Sequence, residues 1–151
     1  MFTLTRATAA LLLAVLALVL TGAYRALDPE FRASGMLEVI VALSAGWIGW
    51  AMLGPRIDRR VVMGIWATMQ ALVVAAIVAM AVLGVAQVFR RGYDMEYDGV
   101  EEAVLGFFAI LQEFVTPMWD AGFLTQAALG SALVGLIVVA AFRWFEGRRK
   151  G

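Results

Sequence analysis

Apolar residues in this chain come in long runs, without the alternating or one-sided patterns of a water-soluble fold. Four runs, over about 7–24, 36–54, 61–89 and 123–145, contain only Glu38 and Arg143 as charged residues. Each is close to or beyond the ~20 residues an α-helix needs to cross a hydrocarbon core of ~30 Å. The pattern predicts an all-α membrane protein with four transmembrane helices. The third run is longer than a crossing requires, so it should tilt or extend beyond the hydrocarbon. A cleaved signal peptide is the competing reading of the first run, which follows Arg6 and ends in the small residues Thr21, Gly22 and Ala23. Either reading places the N-terminus in the cytoplasm.

The breaks between the runs carry the turn signals. Gly54-Pro55 should stop the second helix, and Arg56, Asp58, Arg59 and Arg60 make the basic tip of a helical hairpin. Glu38 sits one turn inside the second run, where a carboxylate can reach the headgroups. Gln70 and Gln87 are the polar members of the third run, and such glutamines hydrogen-bond a neighbouring helix. In the fourth run Ala127, Ser131 and Gly135 lie four apart, a helix-packing face of small residues that lets another backbone approach closely. The approaching helix belongs either to the same four-helix bundle or to a partner, a membrane protein or a second copy of the chain.

Residues 90–121 break the pattern. Seven of the twelve acidic residues fall there: Asp94, Glu96, Asp98, Glu101, Glu102, Glu113 and Asp120. Asp98-Gly99-Val100-Glu101 has capping-box spacing. The helix it starts should carry Val100, Val104, Phe107, Phe108, Leu111 and Val115 along one side, at spacings of three and four, and end near Thr116 ahead of Pro117. A fifth span would bury Glu101 or Glu113 in lipid and reverse the C-terminus, so an interfacial or re-entrant amphipathic helix between the third and fourth spans is the preferred reading.

Two candidate sites lie in this stretch. Asp94, Glu96 and Asp98, followed by Gly99, place oxygen ligands at alternate positions as in the first half of a calcium loop, but the twelfth position is Leu105 instead of the closing glutamate. A solvated acidic loop beside a helix N-terminus explains the same residues. Glu113 is a proton-binding candidate, since a carboxylate drawn into a membrane is desolvated and its pKa rises.

Charge distribution sets the topology. With four spans and the N-terminus inside, Arg6, Arg56, Arg59, Arg60, Arg143, Arg148, Arg149 and Lys150 are cytoplasmic, against Arg25, Arg32, Arg90 and Arg91 outside. This bias favours both termini in the cytoplasm and the acidic stretch on the periplasmic face of a bacterial inner membrane. Net charge is zero, giving no general attraction to nucleic acid. The chain has no cysteine and no histidine, which removes thiol chemistry and His-based acid–base catalysis and takes away the usual ligands of zinc, haem and copper. No nucleophile–base pair and no phosphate loop can be named, so a non-enzymatic protein without a cofactor is expected.

Three segments carry a family resemblance: Gly49-Trp50-Ala51-Met52-Leu53-Gly54-Pro55-Arg56, then Tyr97-Asp98-Gly99 with Glu102-Ala103, and Arg143-Trp144 before the basic tail. On these residues, and in the order and number of apolar runs, the chain resembles the TrgA family, small inner-membrane proteins of alphaproteobacteria associated with tellurite (tellurium) resistance. The family often has a proline after Tyr-Asp-Gly, where this chain has Val100, and the methionine of its second-span motif stands one place away. The resemblance implies a role in tellurite and stress tolerance and brings no catalytic residues with it. The resulting expectation is action through the lipid bilayer and partner contacts. The alternative is a small proton- or ion-coupled transporter using Glu113.

Overall fold

The computed structural model describes residues 4–27, 36–56, 60–94 and 99–149. Every regular element among them is helical. Helix α1 is Leu4–Leu27. Helix α2 begins as Met36–Ile48 and continues through a π-helical turn, Gly49–Leu53, and a last turn, Gly54–Arg56. Helix α3 is Val61–Tyr93. Helix α4, Val100–Val115, runs into a 3₁₀ turn, Thr116–Trp119, and α5 is Ala121–Arg149. Helices α1, α2 through Arg56, α3 and α5 are each long and apolar enough to cross a membrane.

Each of these four outruns its apolar stretch, because the stretch marks only the part suited to hydrocarbon while the helix persists until a backbone feature ends it. The sharpest departure is at Gly54-Pro55, where α2 does not stop. Pro55 has no N–H for the carbonyl four residues back, and its ring crowds that carbonyl. The helix widens instead, with the Gly54 N–H donating to the Gly49 carbonyl, and continues past the proline to Arg56.

The four long helices form a ring in which α1 packs on α2, α2 on α3, α3 on α5, and α5 on α1. Ring neighbours are antiparallel. Arg6 lies against Gly54, Arg25 is paired with Glu38 at 2.8 Å, and Gly135 meets Ile65. Arg6, Arg56, Arg60 and Arg143 therefore gather at one end of the bundle, and Arg25, Glu38, α4 and Asp120 at the other; Arg59 and Lys150 lie outside the described residues. Gln70 accepts a hydrogen bond from Arg56 at 3.3 Å, a link from α3 back to α2.

Close packing is concentrated in the basic half. A β-carbon on Gly135 would stand 2.8 Å from the Ile65 Cα, and one on Gly49 would stand 2.8 Å from the Ala10 Cα. Backbones this close are possible only where a residue has no side chain. Ser131, on the same face of α5 as Gly135, is 1% exposed. The close approach allowed by Ser131 and Gly135 is thus made within the chain, while Ala127, one turn further out, is half-buried.

Asp120 sets the start of α5. Its carboxylate accepts from the Phe123 N–H at 3.0 Å and its carbonyl from the Leu124 N–H at 3.0 Å, the geometry of an N-cap. Replacing Asp120 by alanine is expected to lower stability by about 1 kcal/mol, while Asp120→Asn keeps most of it. Chemical unfolding in detergent checks this, and equal losses in the two variants would remove the capping role.

Candidate functional site

The end of the bundle that carries α4 brings together that helix, most of the described acidic residues and a laterally open apolar space. Helix α4 starts at Val100 with Gly99 in the N-cap position and no side-chain cap. The predicted capping box rests on Asp98, which lies outside the described residues; Glu101 and Glu102 stand in the first turn, where acids favour the helix dipole.

Two contacts fix how α4 lies on α3. Gly84 faces Phe107 and Leu111. Arg91, about 10 Å further along α3 at 1.5 Å per residue, reaches Glu113 at 3.7 Å. In an antiparallel hairpin, progress up α3 would mean moving toward the start of α4. Here it leads toward the end of α4, so α4 crosses α3 instead of running back beside it.

The crossing gives α4 three faces. Ile110 and Phe114 are buried, with Ala103, Phe107 and Leu111 half-buried beside them. Val100, Val104 and Phe108 are exposed and make an apolar second face, and Glu101, Glu102, Gln112 and Glu113 make a third, polar but interrupted by the exposed Leu105 and Ala109. The predicted stripe of Val100, Val104, Phe107, Phe108, Leu111 and Val115 is thus divided, only Phe107, Leu111 and Val115 turning toward the bundle. A helix with two apolar faces does not encode which of them meets protein.

Phe114 also joins α4 to α1. The Tyr24 hydroxyl donates to the Phe114 carbonyl at 3.1 Å, and Tyr24 is only 6% exposed. Thr116 begins the tighter 3₁₀ register, in which the N–H of residue 117 would serve the carbonyl three residues back. Pro117 has no N–H, and Tyr24 supplies a donor at that carbonyl. The Tyr24 ring also meets Phe123 edge-on at 6.2 Å between centroids, tying the start of α5 to the same corner.

Beneath this corner lies a cavity of about 470 Å³. Alanines make the room, among them Ala17 of α1, Ala45 of α2, Ala75 and Ala79 of α3 and Ala127 of α5. Phe114, Val115, Met118 and Trp119 form its outer rim. Its hydroxyl-bearing side chains are Thr21 and Tyr24, which donate to the carbonyls of Ala17 and Phe114, and Trp119 at the rim carries an indole N–H. Among the described residues of the lining, Tyr24 is the only ionisable one.

The predicted site residues do not converge on this space. Asp94 ends α3 with its backbone N–H on the Arg90 carbonyl, and Glu96 and Asp98 lie outside the described residues. Among the described residues no group of three Asp or Glu side chains is placed to hold a metal ion. Glu113 is 62% exposed beside Arg91, and Glu38, paired with Arg25, is 52% exposed. Of the predicted site and helix-packing residues among those described, Ala127 alone lines the cavity. Tyr24 and Asp120 were missed. Asp120 carried a local signal, an acid directly before an apolar run; Tyr24 carried none, because its partner is 90 residues away.

Comparisons with family models, with curated proteins and with solved structures found no match to this chain.

Proposed function

We propose that this protein is a non-enzymatic, multi-pass protein of a bacterial inner membrane that contributes to tellurite tolerance through contacts with lipid and partner proteins. The membrane part is carried by one observation. The flanks of the four long helices expose large apolar side chains, such as Leu11, Leu43, Val73 and Leu133, while the charges lie toward the two ends. Water would make that surface a source of aggregation, and hydrocarbon satisfies it. The basic end is cytoplasmic by the charge bias, which puts both termini there. Helix α4 lies at the periplasmic interface, a placement supported by its crossing of α3 and by its lipid-ready and polar faces meeting along one edge. A partner helix would use the exposed side of α5, where Leu129, Leu133 and Leu136 point outward.

The tellurite part rests on the resemblance alone. A chain without cysteine or histidine is poorly equipped to reduce the oxyanion, so support of the envelope is the role assigned here. Deleting the gene should lower the growth-inhibiting tellurite concentration without sensitising cells to an unrelated envelope stress. Both the wild-type protein and Glu113→Gln should restore growth. Restoration by wild type alone, together with proton flux in proteoliposomes, would move the function to ion-coupled transport. Equal sensitivity to both stresses would remove the link to tellurite.

A further inference from the structure

We infer that the cavity under α4 is a binding slot for one acyl chain of a membrane phospholipid, which enters sideways from the outer leaflet. This inference rests on the membrane reading above. Shape is the first argument. From Leu72 to Leu83 the lining follows α3 for about 16 Å, close to half of a ~30 Å hydrocarbon core and so to the depth of one leaflet. A volume of 470 Å³ spread over that length makes a long slot, narrower than a helix of ~10–12 Å diameter with its side chains. One extended hydrocarbon chain, lying along the helix axes, fits that space; a helix of a partner or of a second copy does not.

Chemistry is the second argument. The walls are almost wholly carbon, and the hydroxyls of Thr21 and Tyr24 already donate to backbone carbonyls. An ion, a sugar or a phosphate would find no partner there, and water does not fill an apolar cavity. An unfilled space of this size forfeits dispersion contacts along all its walls.

Access is the third. The inner end closes where α3 and α5 converge on the close contact of Gly135 with Ile65, and Phe114 and Val115 stand at the outer end. The lining residues that are themselves exposed are Val73 and Ile77 of α3, Leu124 of α5 and Trp119, so the slot opens laterally between α3 and α5. On the membrane reading that opening faces lipid.

The test is photo-crosslinking in vesicles of phosphatidylethanolamine and phosphatidylglycerol containing a phosphatidylcholine with a diazirine on one acyl chain. Label should appear on the buried residues Ala75 and Ala79 and on Ala127 as well as on the outward-facing Leu133. Ala79→Phe, and independently the half-buried Ala76→Phe, should cut the cavity label severalfold and leave that on Leu133 unchanged, with helical content and thermal unfolding checked for both. Label confined to outer faces, or cavity label unchanged in both variants, overturns the slot while leaving the membrane reading intact. No label anywhere overturns both. Displacement by unlabelled free fatty acid but not by unlabelled phosphatidylcholine overturns the phospholipid assignment.

Discussion

Gly135→Ala is expected to destabilise the protein by about 1–3 kcal/mol, the range for forcing extra volume into a packed interior. The added methyl would stand 2.8 Å from the Ile65 Cα and 3.0 Å from the Ile65 backbone nitrogen. Those are backbone atoms of α3, with no flexible side chain between them and the new carbon, so the two helices must separate. The sign makes the prediction sharp. In an open helical position the same substitution gains about 0.5–1 kcal/mol by restricting the unfolded chain. Gly22 in α1 is such a position, with nothing within 4 Å of an added β-carbon. Unfolding in detergent, followed by circular dichroism, should move in opposite directions for Gly135→Ala and Gly22→Ala. A gain in stability for both variants would mean that α3 and α5 do not meet at Gly135.

Tyr24→Phe should cost about 0.5–1.5 kcal/mol, the net contribution of one intramolecular hydrogen bond. The phenyl ring is retained, so the packing against Phe123 is preserved and the loss reports the hydroxyl. Pro117→Ala restores an N–H at the position that could serve the Phe114 carbonyl. The Tyr24→Phe penalty should therefore shrink in that background, a non-additivity that a double-mutant cycle measures. Hydrogen exchange should rise in α4 and in the 3₁₀ turn before it rises elsewhere. A Tyr24→Phe penalty of the same size with proline or alanine at 117 would show that the two residues act independently.

Both predictions concern the two halves of one bundle. Near the basic end, glycines bring α3 against α5 and α2 against α1. Toward the α4 end, alanines line facing helices that have moved apart, and α4 lies across the gap. Closure there depends on few contacts, the Tyr24 hydrogen bond and the packing of Phe107 and Leu111 on Gly84 chief among them. Regions held by few buried contacts open at lower free energy than the rest of a fold. Loosening this corner should alter access to the cavity before it alters the bundle.

What the sequence determined by itself are the features set by the solvent and by local backbone chemistry. Hydrocarbon tolerates a run of about twenty apolar residues only as a helix whose backbone is internally bonded, so the four long helices were legible wherever charges were absent. The gathering of Arg6, Arg56, Arg60 and Arg143 at one end followed from counting turns between them. The small residues Ser131 and Gly135 announced a close approach, and Asp120 had the makings of a helix start. Only the tertiary structure decided which surfaces meet. Lipid and protein interiors both accept Val104 and Phe107, so the pattern of α4 could not reveal that Phe107 packs on α3 while Val104 stays exposed. Nor could it show that Gly135 meets Ile65 of the same chain, that the proline at 55 would be absorbed by a π turn, or that the carbonyl of Phe114 would take its hydrogen bond from Tyr24. Each of these depends on two segments distant in sequence, and a cavity is a property of no single segment.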